Sequence, residues 1–118
     1  MAITEPLTIA ALIDQSHQTA REKGWWDAGH SDRTFGEIVA LFHSEISEAF
    51  EEYRAGRDLT EIYTGSNGKP EGVPIELADL LIRIGDFCSY YNIPLEAALR
   101  QKLAYNKTRP YRHGGKRV

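Results

Sequence analysis

The stretch PIELADLLIRIGDFCSYY, Pro74 to Tyr91, decides how the rest of the chain reads. Wound as a helix at about 100° per residue, it gathers Glu76, Asp79, Arg83 and Asp86 into an arc of roughly 80°. Ile75, Leu77, Leu80, Leu81, Ile82, Ile84, Phe87 and Cys88 take the other faces. A surface helix has the opposite balance, a narrow apolar stripe against a broad polar side. The pattern predicts a helix buried nearly all round, whose charged arc faces something able to hold charge. Buried carboxylates need a cation, a proton or hydrogen bonds.

Upstream, residues 57–72 contain GSNGKPEG, which is loop chemistry. The segment is long for a helix connection in a small bundle, so a functional lid or an Ω-loop is expected. Pro74 falls at the favoured first position of the central helix, and Asn92 suits a left-handed stop at its end. Further back, Thr34 and Glu37 form a capping box that opens a second helix, running to about Ala55 with Gly56 as the stop. Ile38, Val39, Phe42, Ile46, Ala49, Phe50 and Tyr53 make its apolar face; Glu45 and Glu48 border that face, while Glu51 and Arg54 point to water. Thr8 caps a first helix that ends at Gly24, with Leu7 and Leu12 placed for a hydrophobic staple. His17 flanks its apolar stripe. The loop between carries Trp25 and Trp26. Either one anchors the core or a subunit contact, or one lines a pocket and stacks on a flat ligand.

Downstream, Ile93-Pro94 starts a fourth helix, from about Leu95 to Lys107. Leu95, Leu99, Lys102 and Asn106 share one stripe of it. The two polar members either snorkel at the end of the bundle or line a pocket shared with the carboxylates. The tail, TRPYRHGGKRV, is basic, and reads as a flexible terminus or as an arm that closes over an anion.

At 118 residues the chain suits one compact domain, and four helices make it an all-α, four-helix bundle. A net charge of −3 argues against a nucleic-acid polymer as partner. Cys88, the single cysteine, reads as a small core residue and excludes an internal disulfide or a multi-cysteine zinc site. No secretory signal and no bilayer-spanning stretch is visible, so a cytoplasmic protein without a membrane partner is expected. A central helix that is apolar on most faces needs more cover than three short neighbours provide, which predicts at least a homodimer.

The chemistry lies in two acidic pairs, Glu45-x-x-Glu48 and Glu76-x-x-Asp79. Residues three apart share a helix face. Packing the two helices together brings four carboxylates into mutual repulsion, which a divalent metal removes. All-oxygen ligation favours Mg²⁺ or Mn²⁺ over zinc. A single ExxE is weak, since most such pairs are solvated surface; the second pair is stronger because its helix is otherwise apolar. Di-iron bundles need Glu-x-x-His pairs, and no Glu here has His three residues on.

The pairs, with 27 residues between them, stand in HSEISEAFEEYRAG and PIELADLLIRIGD, followed by KLAYNKTRPYRHGG. This order resembles the MazG-like all-α nucleoside triphosphate pyrophosphohydrolases from Thr34 onward. The resemblance implies an oligomeric helical bundle that uses Mg²⁺ to cleave a nucleoside triphosphate to the monophosphate and pyrophosphate. It implies Glu45, Glu48, Glu76 and Asp79 as metal ligands. Arg83, Lys102, Asn106 and Arg109 would bind phosphate or sugar, and His17 and Trp26 would border the base. Such hydrolysis needs charge neutralisation and an oriented water more than a nucleophilic side chain. Glu48 is the expected general base and Glu52 the alternative. Two other readings stand beside this one: a dimeric all-α deoxyuridine triphosphatase, and a helical interaction module whose acidic patch meets a basic partner.

Overall fold

A computed structural model describes residues 5–29 and 32–118. In chain order they form α1 (Ile9–Glu22), α2 (Phe35–Arg54), β1 (Tyr63–Thr64), β2 (Pro70–Glu71), α3 (Val73–Tyr90), α4 (Leu95–Thr108) and one short turn, α5 (Arg112–Gly115). The chain is thus mostly helical, as its periodicity predicts. Thr8 and Thr34 cap α1 and α2, each hydroxyl accepting a backbone N–H three residues on, from Ala11 at 3.0 Å and Glu37 at 3.1 Å. Gly24, Gly56 and Asn92 take positive φ just beyond the helices they end. Pro74 occupies the second helical position, not the first, because Val73 already has helical geometry.

The core is α3 held between α1 and α2. Gly85 brings α1 close: a Cβ there would lie 3.3 Å from Ser16 Oγ and 3.4 Å from the Leu12 carbonyl oxygen. On the other side Phe87 packs on Phe35 and Phe42 of α2, with ring centroids 5.6 and 6.0 Å apart. Ile38, Ala49, Val73 and Cys88 are buried. For Cys88 this matches the expected core role.

Residues 57–72, expected as a lid or an Ω-loop, contain a braced hairpin. Two short antiparallel strands pair Tyr63 with Glu71 and Thr64 with Pro70. Tyr63 donates its hydroxyl to Glu52 at 2.8 Å, and Arg57 lies 3.6 Å over the Tyr63 ring while bonding Glu61 at 2.7 Å. Gly72 closes the hairpin at φ 127°, a region open essentially only to glycine, and a Cβ there would collide with the Glu61 carbonyl oxygen. Strand pairs of two residues leave no readable alternation, so sequence periodicity had nothing to detect.

The largest departure from expectation is α4. Among the described residues the bundle within one chain has three helices, and α4 projects away from them with only its first residue, Leu95, part-buried. The radius of gyration is 16.9 Å, against about 13–14 Å for a compact domain of this length. The expected all-round burial of α3 is also incomplete in one chain. Leu77, Leu81 and Ile82 stay about half exposed, as do Ile46, Phe50 and Tyr53 on α2.

Candidate metal and phosphate site

The charged arc of α3 faces α2, and there the two acidic pairs converge. Glu45 and Glu76 are only 5% and 7% exposed. One oxygen each from Glu45, Glu76 and Asp79 falls within a mutual separation of 4.8 Å. Glu45 Oε1 accepts from Arg83 Nε at 2.6 Å. The other oxygens, Glu45 Oε2 and Glu76 Oε2, are buried without a hydrogen-bond partner. An octahedral Mg²⁺ with ligands at about 2.1 Å spaces them about 3–4 Å apart. Three carboxylates whose oxygens lie within 4.8 Å of one another stand close to that spacing, and the orphaned acceptors on two of them suit a small, hard divalent cation.

The electrostatics agree. Burial, then a hydrogen bond with Glu48, then repulsion from Glu48 and Asp79 push the Glu76 carboxyl up to about 7. That hydrogen bond needs a proton shared between Glu76 and Glu48, because two ionised carboxylates can only accept. Burial and the nearby Glu45 also raise Asp79, against the pull of Lys69 and Arg83. Keeping a proton relieves part of the repulsion among these carboxylates.

Above the carboxylates lies a cleft of about 450 Å³, lined by Glu45, Glu48 and Asp79 and by Lys23, Trp25, Arg33, Lys69, Arg83 and Asp86. Of the residues expected at the site, the fold brings Glu45, Glu48, Glu76, Asp79 and Arg83 together. Glu48 is the solvent-exposed carboxylate among them. Glu52, the alternative base, is elsewhere, with both oxygens engaged by Tyr63.

Lys102, Asn106 and Arg109 do not reach this cleft in their own chain. They ride on or just beyond the projecting α4, where Lys102 and Arg109 lie over the Tyr105 ring at 5.0 and 5.8 Å. Trp26 does not line this cleft and is engaged within its own chain. Tyr90 stacks on it with ring centroids 3.8 Å apart, and the Arg33 guanidinium lies 5.1 Å from its ring. His17 and Trp26 both bond Asp86 Oδ1, at 2.9 and 2.8 Å, a knot that ties the tryptophan loop to α3. The hole beside Trp26 and Phe42 measures about 30 Å³, room for about one water. Trp25, half exposed, is the tryptophan that lines the cleft.

Sequence reasoning passed over Lys69 and the anchoring role of Asp86. The Asp86 role had a signal, the last position on the α3 arc. Lys69 had none, because it sits in a Gly- and Pro-rich connection. No family model, curated protein or solved structure matches the chain.

Proposed function

We propose that the protein is a divalent-cation-dependent pyrophosphohydrolase of nucleoside triphosphates, a MazG-like enzyme that releases the monophosphate and pyrophosphate. The observation that carries this reading is the pair of orphaned, buried carboxylate oxygens of Glu45 and Glu76 beside Asp79. An interaction patch would leave its acids in water, where they cost nothing; these are buried at a penalty that a bound cation repays.

Glu45, Glu76 and Asp79 would hold Mg²⁺ or Mn²⁺. When bound, the ion supplies positive charge to the phosphate oxygens and lowers the barrier to attack at phosphorus. The chain's own groups do the rest. Glu48, at the solvent edge of the carboxylate cluster, takes the proton of the attacking water. Arg83, held against Glu45 in the ion-free protein, turns its remaining N–H donors toward the phosphates. Trp25 offers an aromatic surface for the base at the α1 end of the cleft. Deoxynucleotide-pool cleansing is the role this chemistry suits.

The same reading includes a homodimer or homotetramer. Uncovered stripes on α2 and α3, and an α4 whose Leu99 and Leu103 are exposed, exceed what a monomer usually leaves in water. A second copy would cover them and bring Lys102, Asn106 and Arg109 toward a neighbour's cleft. Sedimentation at micromolar concentration is expected to give a multiple of the 13.3 kDa chain mass. A folded, active monomer at that concentration would refute this part.

The function itself is tested by pyrophosphate release from a panel of deoxynucleoside triphosphates, a deoxyuridine triphosphate included, with and without Mg²⁺. The expected result is Mg²⁺-dependent release from at least one of them. No release from any nucleotide returns the acidic cluster to the interaction-module reading.

A further inference from the structure

The α2–α3 hairpin delivers a lysine to the carboxylate cleft, and nothing in the acidic motifs accounts for it. Lys69 lines the same cleft as Glu45, Glu48 and Asp79. Its backbone is pinned on both sides: its N–H donates to Asn67 Oδ1 at 3.1 Å, and its carbonyl accepts from the Gly65 N–H at 2.7 Å. Behind it, the Tyr63–Glu52 bonds and the Arg57 stack brace the hairpin against α2. Pro70, next in the chain, fixes the backbone further. A flexible side chain thus springs from a rigid base at the cleft wall. No ion pair within 4 Å of its ammonium occurs among the described residues.

Arg83 differs, since Glu45 already holds it. A cation that shares the cleft with Glu45, Glu48 and Asp79, feels Asp79 and forms no close ion pair with any of them is suited to an anion that arrives later. Once a divalent ion neutralises the carboxylates, the positive charge of Lys69 is left without an ion pair among the described residues. We propose that Lys69 is a phosphate-binding residue, which closes on the triphosphate oxygens from the hairpin side of the cleft and sets the affinity for substrate. This rests on the hydrolase reading above and adds to it the group that grips the polyphosphate.

The competing role is a standing counter-ion for the carboxylates, and the two separate in kinetics. Lys69→Ala is expected to raise KM for the best deoxynucleoside triphosphate roughly 10- to 100-fold, the range for a lost charge-assisted hydrogen bond. The change in kcat is expected to be smaller, and Lys69→Arg should recover most of the KM. Affinity for Mg²⁺-loaded pyrophosphate, followed by calorimetry, should fall in parallel. Affinity for Mn²⁺ alone should hold or tighten, because a competing cation is gone. If wild type hydrolyses a nucleotide or binds pyrophosphate while Lys69→Ala matches it in KM and pyrophosphate affinity, the Lys69 assignment falls and the hydrolase reading stands. If wild type does neither, the hydrolase reading falls and takes Lys69 with it.

Discussion

Replacing Glu76 with Gln is expected to abolish turnover and at the same time to stabilise the ion-free protein above neutral pH. The first effect follows from ligation. Glu76 contributes one of the two orphaned buried oxygens, and an amide is a poor ligand for a hard cation in place of a carboxylate. Loss of a partner that only orients a ligand costs about 10–100-fold, so losing the ligand itself should cost more. Asp79→Asn is expected to behave alike. The second effect follows from charge. Gln keeps the shape of Glu76, removes its share of the repulsion, and donates an N–H to the carboxylates around it. The gain should approach the cost of ionising Glu76 in place, about 3 kcal/mol. Thermal unfolding of the metal-free proteins at pH 8 would then show the variant melting several degrees higher. Full activity in either variant removes the ligand assignment. A variant that is inactive because it is less stable would point to a merely structural role.

The second large effect is the pH dependence of the ion-free wild type. Above the ordinary carboxylate pKa of 4.5 the unfolded chain has released the Glu76 proton, while the folded protein keeps it until about 7. The folded state therefore binds more protons across that interval, and stability falls as pH rises. The expected loss is about 3 kcal/mol between pH 4.5 and pH 7, levelling above. Asp79, also raised, contributes in the same direction. A divalent ion should reverse the trend, since it binds the ionised site and stabilises in proportion to the logarithm of its concentration over Kd. Its affinity should drop up to tenfold for each pH unit below about 7. Denaturant unfolding from pH 5 to pH 8, with and without Mn²⁺, reads both slopes. Ion-free stability that climbs with pH over this range would mean that the carboxylates are not crowded as described.

Much of the fold was legible because it is written locally. Thr8 and Thr34 announce helix starts, Gly24, Gly56 and Asn92 announce stops, and the Glu76–Asp86 arc tells α3 which side must face charge. The spacing of two acidic pairs was enough to place them opposite one another once α2 and α3 packed. What stayed hidden depends on geometry that periodicity does not encode. The stripe of Leu95 and Leu99 shows that α4 has an apolar face, but not whether that face meets its own chain. Two adjacent tryptophans signal an anchor and a surface, and only the stack of Tyr90 on Trp26 decides which is which. Lys69 is one of several lysines in the sequence, and only the hairpin register sets it at the cleft.

Mn²⁺ is the ion that tests the central claim most directly. Crystals grown at pH 8 and exposed to Mn²⁺ are predicted to give an anomalous peak bonded to oxygens of Glu45, Glu76 and Asp79, at about 2.1–2.2 Å. A map with no peak among those three side chains, or with Mn²⁺ bound only at exposed acids such as Glu51, would contradict the account.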